Sequence, residues 1–176
     1  MILDRIDRRT FLTAGAALGA FSGLTAFGSK GALAAMTTTD TSIDFKKLTA
    51  AEWQKRLSPE QFYVLRKHGT ERAGTSPLNQ EKRAGTFACA GCDLPLFDAS
   101  TKFESGTGWP SFYAPLPNAV GEKSDRSFFM TRTEVHCSRC KGHLGHVFND
   151  GPKPTGLRYC MNGVAMKFQP AASSAT

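Results

Sequence analysis

A mainly β, antiparallel fold with a short helical lead and a four-cysteine zinc site is predicted by three observations. Helix-start signals are confined to residues 49–69. From Thr86 onward, short β-type runs alternate with Gly, Pro and Asn. Four of the five cysteines stand as two C-x-x-C pairs, Cys89/Cys92 and Cys137/Cys140, and only Cys160 is left over.

The chain of 176 residues opens with "DRIDRRTFLTAGAALGAFSGLTAFGSKGALAA". Arg8-Arg9 precede a weakly apolar stretch and an A-x-A end at Ala32-Leu33-Ala34. This pattern predicts a signal peptide over 1–34, directed to the twin-arginine route and to a periplasmic or other extracytoplasmic address in a bacterium. A membrane anchor is the competing reading. The four glycines and three hydroxyl residues between Phe11 and Gly28 make a poor apolar span, so no stable membrane insertion is expected after cleavage.

Removal of the leader leaves 142 residues, one domain by length and large enough for a real core. The leader carries Arg5, Arg8, Arg9 and Lys30 against Asp4 and Asp7, so the mature chain keeps +5 of the total +7. Its cations are scattered among acids and form no basic stripe, which argues against nucleic-acid binding. Residues 35–47 are expected to be a flexible arm, beginning with the polar "AMTTTDTSID". Residues 169–176, "QPAASSAT", are expected to be a flexible tail.

Thr49-x-x-Glu52 is a capping box and predicts the first helix. Ser58-Pro59-Glu60-Gln61 is a second box with proline at the first helical position, and Gly69 is its expected stop. "TFACA", "KFES", "SFFMTRTEVHC", "HLGHVF" and "VAMKF" then read as strands.

Each C-x-x-C pair ends a strand-like run and returns to apolar residues. Two such turns facing one another place four thiolates at the corners of a tetrahedron, a closed structural zinc site with Cys89, Cys92, Cys137 and Cys140 as ligands. The 44 residues between Cys92 and Cys137 exceed ordinary ribbon spacing, so the metal would join distant parts of the chain. A redox dithiol needs a helix N-terminus in a βαβ setting, which neither pair has. Two disulfides remain compatible with an oxidising compartment.

An odd cysteine in an exported chain is an intermolecular bridge, a reactive thiol or a plain buried residue. In an extended segment Arg158 and Asn162 share a face with Cys160, and a guanidinium and an amide beside sulfur favour its nucleophilic form. Upstream, "HLGHVFND" offers His143, His146 and Asp150 as proton donors or water holders. Trp109, on the Gly-rich loop of "KFESGTGWPSF", is either a core plug or the wall of an apolar pocket.

In order and spacing, "CAGCDLPLF", "KFESGTGWPSF", "VHCSRCKGHLGHVFNDGP" and "GLRYCMNG" resemble the B-type methionine sulfoxide reductases, peptide-methionine (R)-S-oxide reductases. The resemblance runs over about residues 48–168 and implies two small antiparallel sheets with helices on the N-terminal side. It implies Cys160 as nucleophile, with His143, His146, Asp150, Arg158 and Asn162 on the polar side of the pocket. Trp109 becomes the wall for the substrate's methyl group, with Phe112 and Phe148 as further substrate contacts. The two C-x-x-C pairs become ligands of one structural zinc ion, and no organic cofactor is expected. The implied substrates are oxidised proteins or free methionine-R-sulfoxide, and the implied reductant is thioredoxin-like or a small thiol. Two departures stand out. Gly163 occupies a place where serine is frequent, which is expected to matter little, and Thr107 occupies the place of a resolving cysteine in many members. A non-catalytic zinc-ribbon binding module and a thiol peroxidase are the alternative readings.

Overall fold

The computed structural model describes residues 43–126 and 131–172. The expected signal peptide, most of the arm, the "SFFM" half of one strand run and the last four residues of the tail lie outside them.

Both capping boxes form. Glu52 N–H donates to Thr49 Oγ1 while Thr49 N–H donates to the Glu52 carboxylate, opening α1 (Ala50–Arg56). Ser58 and Gln61 make the same exchange at the start of α2 (Pro59–Lys67). Helices this short are marginal alone. They hold because Trp53, Val64 and Leu65 are almost fully buried, and because the Arg66 guanidinium lies 4.8 Å over the Trp53 ring. The stop differs from expectation by one residue. His68, not Gly69, takes the left-handed conformation (φ 56), and its imidazole is held 3.1 Å from the Glu134 carboxylate.

Among the described residues nine strands follow: β1 (Gly85–Cys89), β2 (Pro95–Asp98), β3 (Lys102–Phe103), β4 (Ser111–Phe112), β5 (Val120–Asp125), β6 (Arg132–Cys137), β7 (His143–Phe148), β8 (Arg158–Met161) and β9 (Met166–Pro170). They make two antiparallel sheets, ordered β2-β1-β9 and β3-β4-β8-β7-β6-β5. The expected two-sheet, mainly β architecture is therefore what the chain adopts. No described helix is long and apolar enough to cross a membrane.

The sheets meet through aromatic rings. Phe97 stacks on Phe112 at 4.4 Å between centroids, and Phe87 meets Phe112 edge-on at 4.9 Å. Tyr159 lies 5.9 Å from Phe97 and completes the layer. Such pairs add to the burial energy of large apolar rings.

Three boundaries moved for local reasons. "VAMKF" becomes a strand only from Met166, because the Glu71 carboxylate captures Gly163 N–H (2.6 Å) and Val164 N–H (2.9 Å) in a 3-10 turn. β9 extends to Pro170, so the first two residues of the expected tail are paired with β1. Within the expected arm, Phe45 packs 6.0 Å from the Trp53 ring.

Candidate active site and metal centre

The two C-x-x-C turns fold alike. Cys89 N–H donates to Leu94 O (2.8 Å) and Asp93 N–H to Cys89 O (2.9 Å); Cys137 N–H donates to Gly142 O (2.9 Å) and Lys141 N–H to Cys137 O (3.0 Å). The residue after each second cysteine, Asp93 (φ 56) and Lys141 (φ 59), is left-handed. A lysine held there is unusual enough to mark a backbone that its surroundings dictate.

Cys89 ends a strand of the small sheet and Cys137 a strand of the large one, so the four sulfurs join the two sheets. Sγ–Sγ separations are 3.7 Å for Cys89–Cys140 and 3.5 Å for Cys92–Cys137, and all four sulfurs lie within 4.8 Å of one another. A tetrahedral ion bonded at about 2.3 Å to each sulfur needs edges of about 3.8 Å, so the set fits a metal of that size. Contact between Cys137 and Cys140 leads the forces that hold the Cys137 thiol far below its ordinary range and push the Cys140 thiol far above it. Four thiolates this close repel unless a cation sits among them. The surrounding carbonyls are anchored as well: Arg66 donates to Cys140 O (3.0 Å) and Arg139 to Cys92 O (2.9 Å).

Cys160 lies away from this cluster, in the middle of the large sheet. Along β8 the side chains alternate: Tyr159 and Met161 enter the core, while Arg158 and Cys160 face the other way. His146 of β7 stands opposite Cys160 on one side and Ser111 of β4 on the other. A cavity of about 130 Å³ opens over the sulfur, lined by Trp109, Arg132, His146, Phe148 and Asn162 with Thr70 and Gly145. Gly145 is required there, since a Cβ would strike the Cys160 carbonyl oxygen. A larger, mostly apolar groove of about 720 Å³ runs beside α2 and residues 71–78. It contains no thiol or imidazole, so its size does not make it the reactive centre.

His146 Nε2 is 2.8 Å from Asp125 Oδ2, which also receives Arg132 at 2.9 Å. Arg158 reaches the Cys160 sulfur electrostatically, stacks 4.4 Å over the Phe148 ring and makes a bidentate pair with Asp150 at 2.8 Å. That pair holds the exposed Asp150 carboxyl below its usual range. Trp109 is pinned by its indole N–H, which donates to Glu71 O at 3.2 Å.

Four expectations change. Phe112 is not a substrate contact. Ser111 is the residue beside Cys160, and side chains alternate along a strand, so Phe112 points to the opposite face and is wholly buried against Phe97. His143 does not line the cavity either; it is buried behind His146, its ring 5.5 Å away, with Nδ1 2.8 Å from Glu134 Oε1. Burial pushes its imidazole down, against the pull of Glu134. Asn162 lines the cavity, yet its amide donates to Leu144 O (2.9 Å) and accepts from Glu71 N–H (2.9 Å), so it braces the strand end. Gly163 also matters more than expected, because a Cβ there would fall on the Ser76 hydroxyl.

The family model of the SelR domain matches residues 57–170. A relative in Pseudomonas putida (strain W619), named peptide methionine sulfoxide reductase MsrB, is 59% identical over 123 residues, 69% of this chain and 92% of the relative.

This chain belongs to the MsrB family.

An MsrB of Agrobacterium fabrum is 54% identical over 68% of this chain and 90% of its own length. The chloroplastic methionine sulfoxide reductase B1 of Arabidopsis thaliana is 56% identical over 70% of this chain, which spans 62% of that relative. This family membership makes the chain a peptide methionine sulfoxide reductase by class. Several residues now seen around the MsrB-type cavity were not singled out from sequence: Arg132, Glu134, Asp125, Glu71 and Thr70. Arg132 and Glu134 offered a signal, as charges inside the strand-like run "TRTEVHC". The others depend on long-range contacts that no local pattern announces.

Proposed function

We propose that the protein reduces the R epimer of methionine sulfoxide with Cys160 as nucleophile. The observation that carries the reading is the placement of Cys160 opposite His146 in a cavity walled by Trp109, in a chain of the MsrB family. The Cys160 thiolate attacks the sulfoxide sulfur while a proton reaches the oxygen from His146, directly or through water. The new sulfur–sulfur bond displaces the twice-protonated oxygen as water. Water then attacks the Cys160 sulfur and gives back one proton, the sulfur–sulfur bond breaks with its electron pair going to the substrate sulfur, and methionine leaves Cys160 as a sulfenic acid. With the methyl group against Trp109 and the oxygen toward His146, only one epimer turns its sulfur to the thiolate.

Cys160 is then resolved from outside. Across the loop the Thr107 hydroxyl stands 3.8 Å from its sulfur, and a hydroxyl cannot form a disulfide. The other four cysteines are gathered in the metal centre. A thioredoxin-like or small-thiol reductant attacks the sulfenic sulfur and a mixed disulfide follows. The centre holds one Zn²⁺, which supplies a cross-link between the sheets and no chemistry at Cys160. The leader takes the folded, metal-loaded chain through the twin-arginine route to an extracytoplasmic space, where oxidised proteins or free methionine-R-sulfoxide are the substrates.

The test is turnover of the R and S sulfoxides of N-acetyl-methionine with dithiothreitol, together with dimedone trapping after one equivalent of substrate. Turnover of R alone, with a single trapped sulfenic acid and no new internal disulfide, is expected. Equal rates on both epimers would overturn the pocket. A Cys160 disulfide formed with zinc retained would overturn the external resolution.

A further inference from the structure

The loop between β3 and β4 carries a closed chain of hydroxyls that ends on the nucleophile. Ser111 Oγ is wholly buried, 2.7 Å from Ser105 Oγ and 3.3 Å from the Trp109 carbonyl oxygen. Ser105 Oγ is 2.8 Å from Thr107 Oγ1, and Thr107 Oγ1 is 3.8 Å from Cys160 Sγ. Ser105 Oγ also accepts the Thr107 N–H at 3.4 Å.

Counting protons shows what the chain can do. A hydroxyl donates one hydrogen and accepts up to two. With Cys160 as a thiol, four protons fill the four links in one direction: Cys160 S–H to Thr107, Thr107 to Ser105, Ser105 to Ser111, and Ser111 to Trp109 O. With Cys160 as a thiolate, three protons remain, and they fill three links in reverse, from Ser111 through Ser105 and Thr107 to the sulfur. The link given up is Ser111 to Trp109 O, the longest of the oxygen–oxygen contacts. Ser105 keeps one donor and two acceptors occupied in both arrangements.

We propose that Ser111, Ser105 and Thr107 form a reversible hydroxyl relay that follows the charge of Cys160, with Thr107 as a catalytic donor to the thiolate and the two serines as positioning residues. This rests on Cys160 being the nucleophile but not on the identity of its substrate. The chain, with Ser111 buried and Ser105 and Thr107 half-buried, is already hydrogen-bonded before the sulfur ionises, so the stabilisation is in place before attack. Arg158, His146 and Arg132 also bear on this sulfur or line its cavity, and all three are left unchanged in the test.

The test compares wild type with Thr107→Val, Thr107→Ser, Ser105→Ala and Ser111→Ala. Cys160 alkylation by iodoacetamide at neutral pH is followed by mass, with Cys160→Ser as background. Turnover of the R sulfoxide is measured in parallel. Thr107→Val should slow alkylation by about tenfold, the scale of one hydrogen bond to a charged group. Its kcat should fall similarly while KM stays within about twofold. Thr107→Ser should restore both rates, and the two serine variants should move them in the same direction by less. Unchanged alkylation in folded Thr107→Val would overturn the relay, as would failure of Thr107→Ser to rescue. Alkylation needs no sulfoxide, so a protein inactive on sulfoxide would count against the proposed function and leave the relay to its own result.

Discussion

The four-cysteine corner and the Cys160 cavity are both built around sulfur, yet they are assembled in opposite ways. Each half of the corner is a local turn, with two cysteines three apart, a left-handed residue after the second, and the same pair of backbone hydrogen bonds in both copies. The Cys160 cavity has no local unit. Its walls come from the segment after α2, the β3–β4 loop, β6, β7 and β8. The corner depends on turn geometry and on four sulfurs close enough to share a metal ion, whereas the cavity depends on strand register, where a slip of one residue reverses every side chain. The corner is therefore expected to be sensitive to loss of its ligands, and the cavity to loss of its alignment.

Cysteine replacement should give the largest difference between the two regions. Cys160→Ser is expected to abolish turnover while metal content and melting temperature stay as in wild type. Cys89→Ser or Cys137→Ser is expected to lose metal and fold together, since structural zinc contributes about 10–16 kcal/mol of folding free energy in small domains. Metal analysis beside thermal melts decides this, and an active, stable protein without metal would break the contrast.

His146→Gln comes next. Proton delivery by a positioned side chain contributes about 10²–10⁴-fold, and the loss should fall on kcat more than on KM. An equal loss in binding would move His146 from chemistry to substrate recognition.

Phe112→Ala sharpens the comparison from the core side. Truncating a fully buried phenylalanine costs about 3–5 kcal/mol, read by urea unfolding. KM for the sulfoxide should stay close to wild type under conditions where the variant is folded. A selective rise in KM would return Phe112 to the pocket.

Acid should weaken the layer behind the cavity in two stages. His143 is buried with its imidazole pushed below the ordinary 6.5, so as pH falls the unfolded chain takes up that proton first. Stability therefore declines as pH drops through 6.5 and levels off below the folded value. For Glu134, burial opposes ionisation, but hydrogen bonds from Lys123 and His143 still hold it below its ordinary 4.5. Its contribution is full above 4.5 and is lost as pH falls through the lower folded value. Unfolding measured against pH, with metal content checked in each sample, should lose the upper stage in His143→Gln and the lower in Glu134→Gln. The smallest effect is expected from Asp150→Asn. Its ion pair with Arg158 is exposed on the Asp150 side, and such pairs contribute little to stability. Only a few-fold loss of rate should follow, by way of Arg158.

Much of this was legible in the chain. The capping boxes at Thr49 and Ser58, the C-x-x-C pairs and the isolated Cys160 are each read within a few residues, because caps and turns close hydrogen bonds locally. Trp109, His146, Phe148 and Arg158 could be gathered from linked motifs. Phe112 could not be placed from sequence, because its neighbour Ser111 is the residue in register with Cys160, and register is a property of two strands. His143 shares a motif with His146 and, through the register shift between Val135 and His136, also its face of the sheet, but the hydrogen bond to Glu134 holds its ring outside the cavity lining. β5 was missed because an edge strand of mostly polar residues carries no apolar alternation.

The sequence by itself determined where the helices start, which cysteines pair in turns and which thiol stands apart, since each of these is settled by chemistry within one turn of chain. Only the tertiary structure decided which aromatic lines the cavity and which fills the core, which histidine reaches the cavity, and that three hydroxyls align on Cys160. Those outcomes follow from which strands lie side by side and in what register, and from contacts between residues tens of positions apart. They are paid for by the whole core and so are written in no single stretch of it.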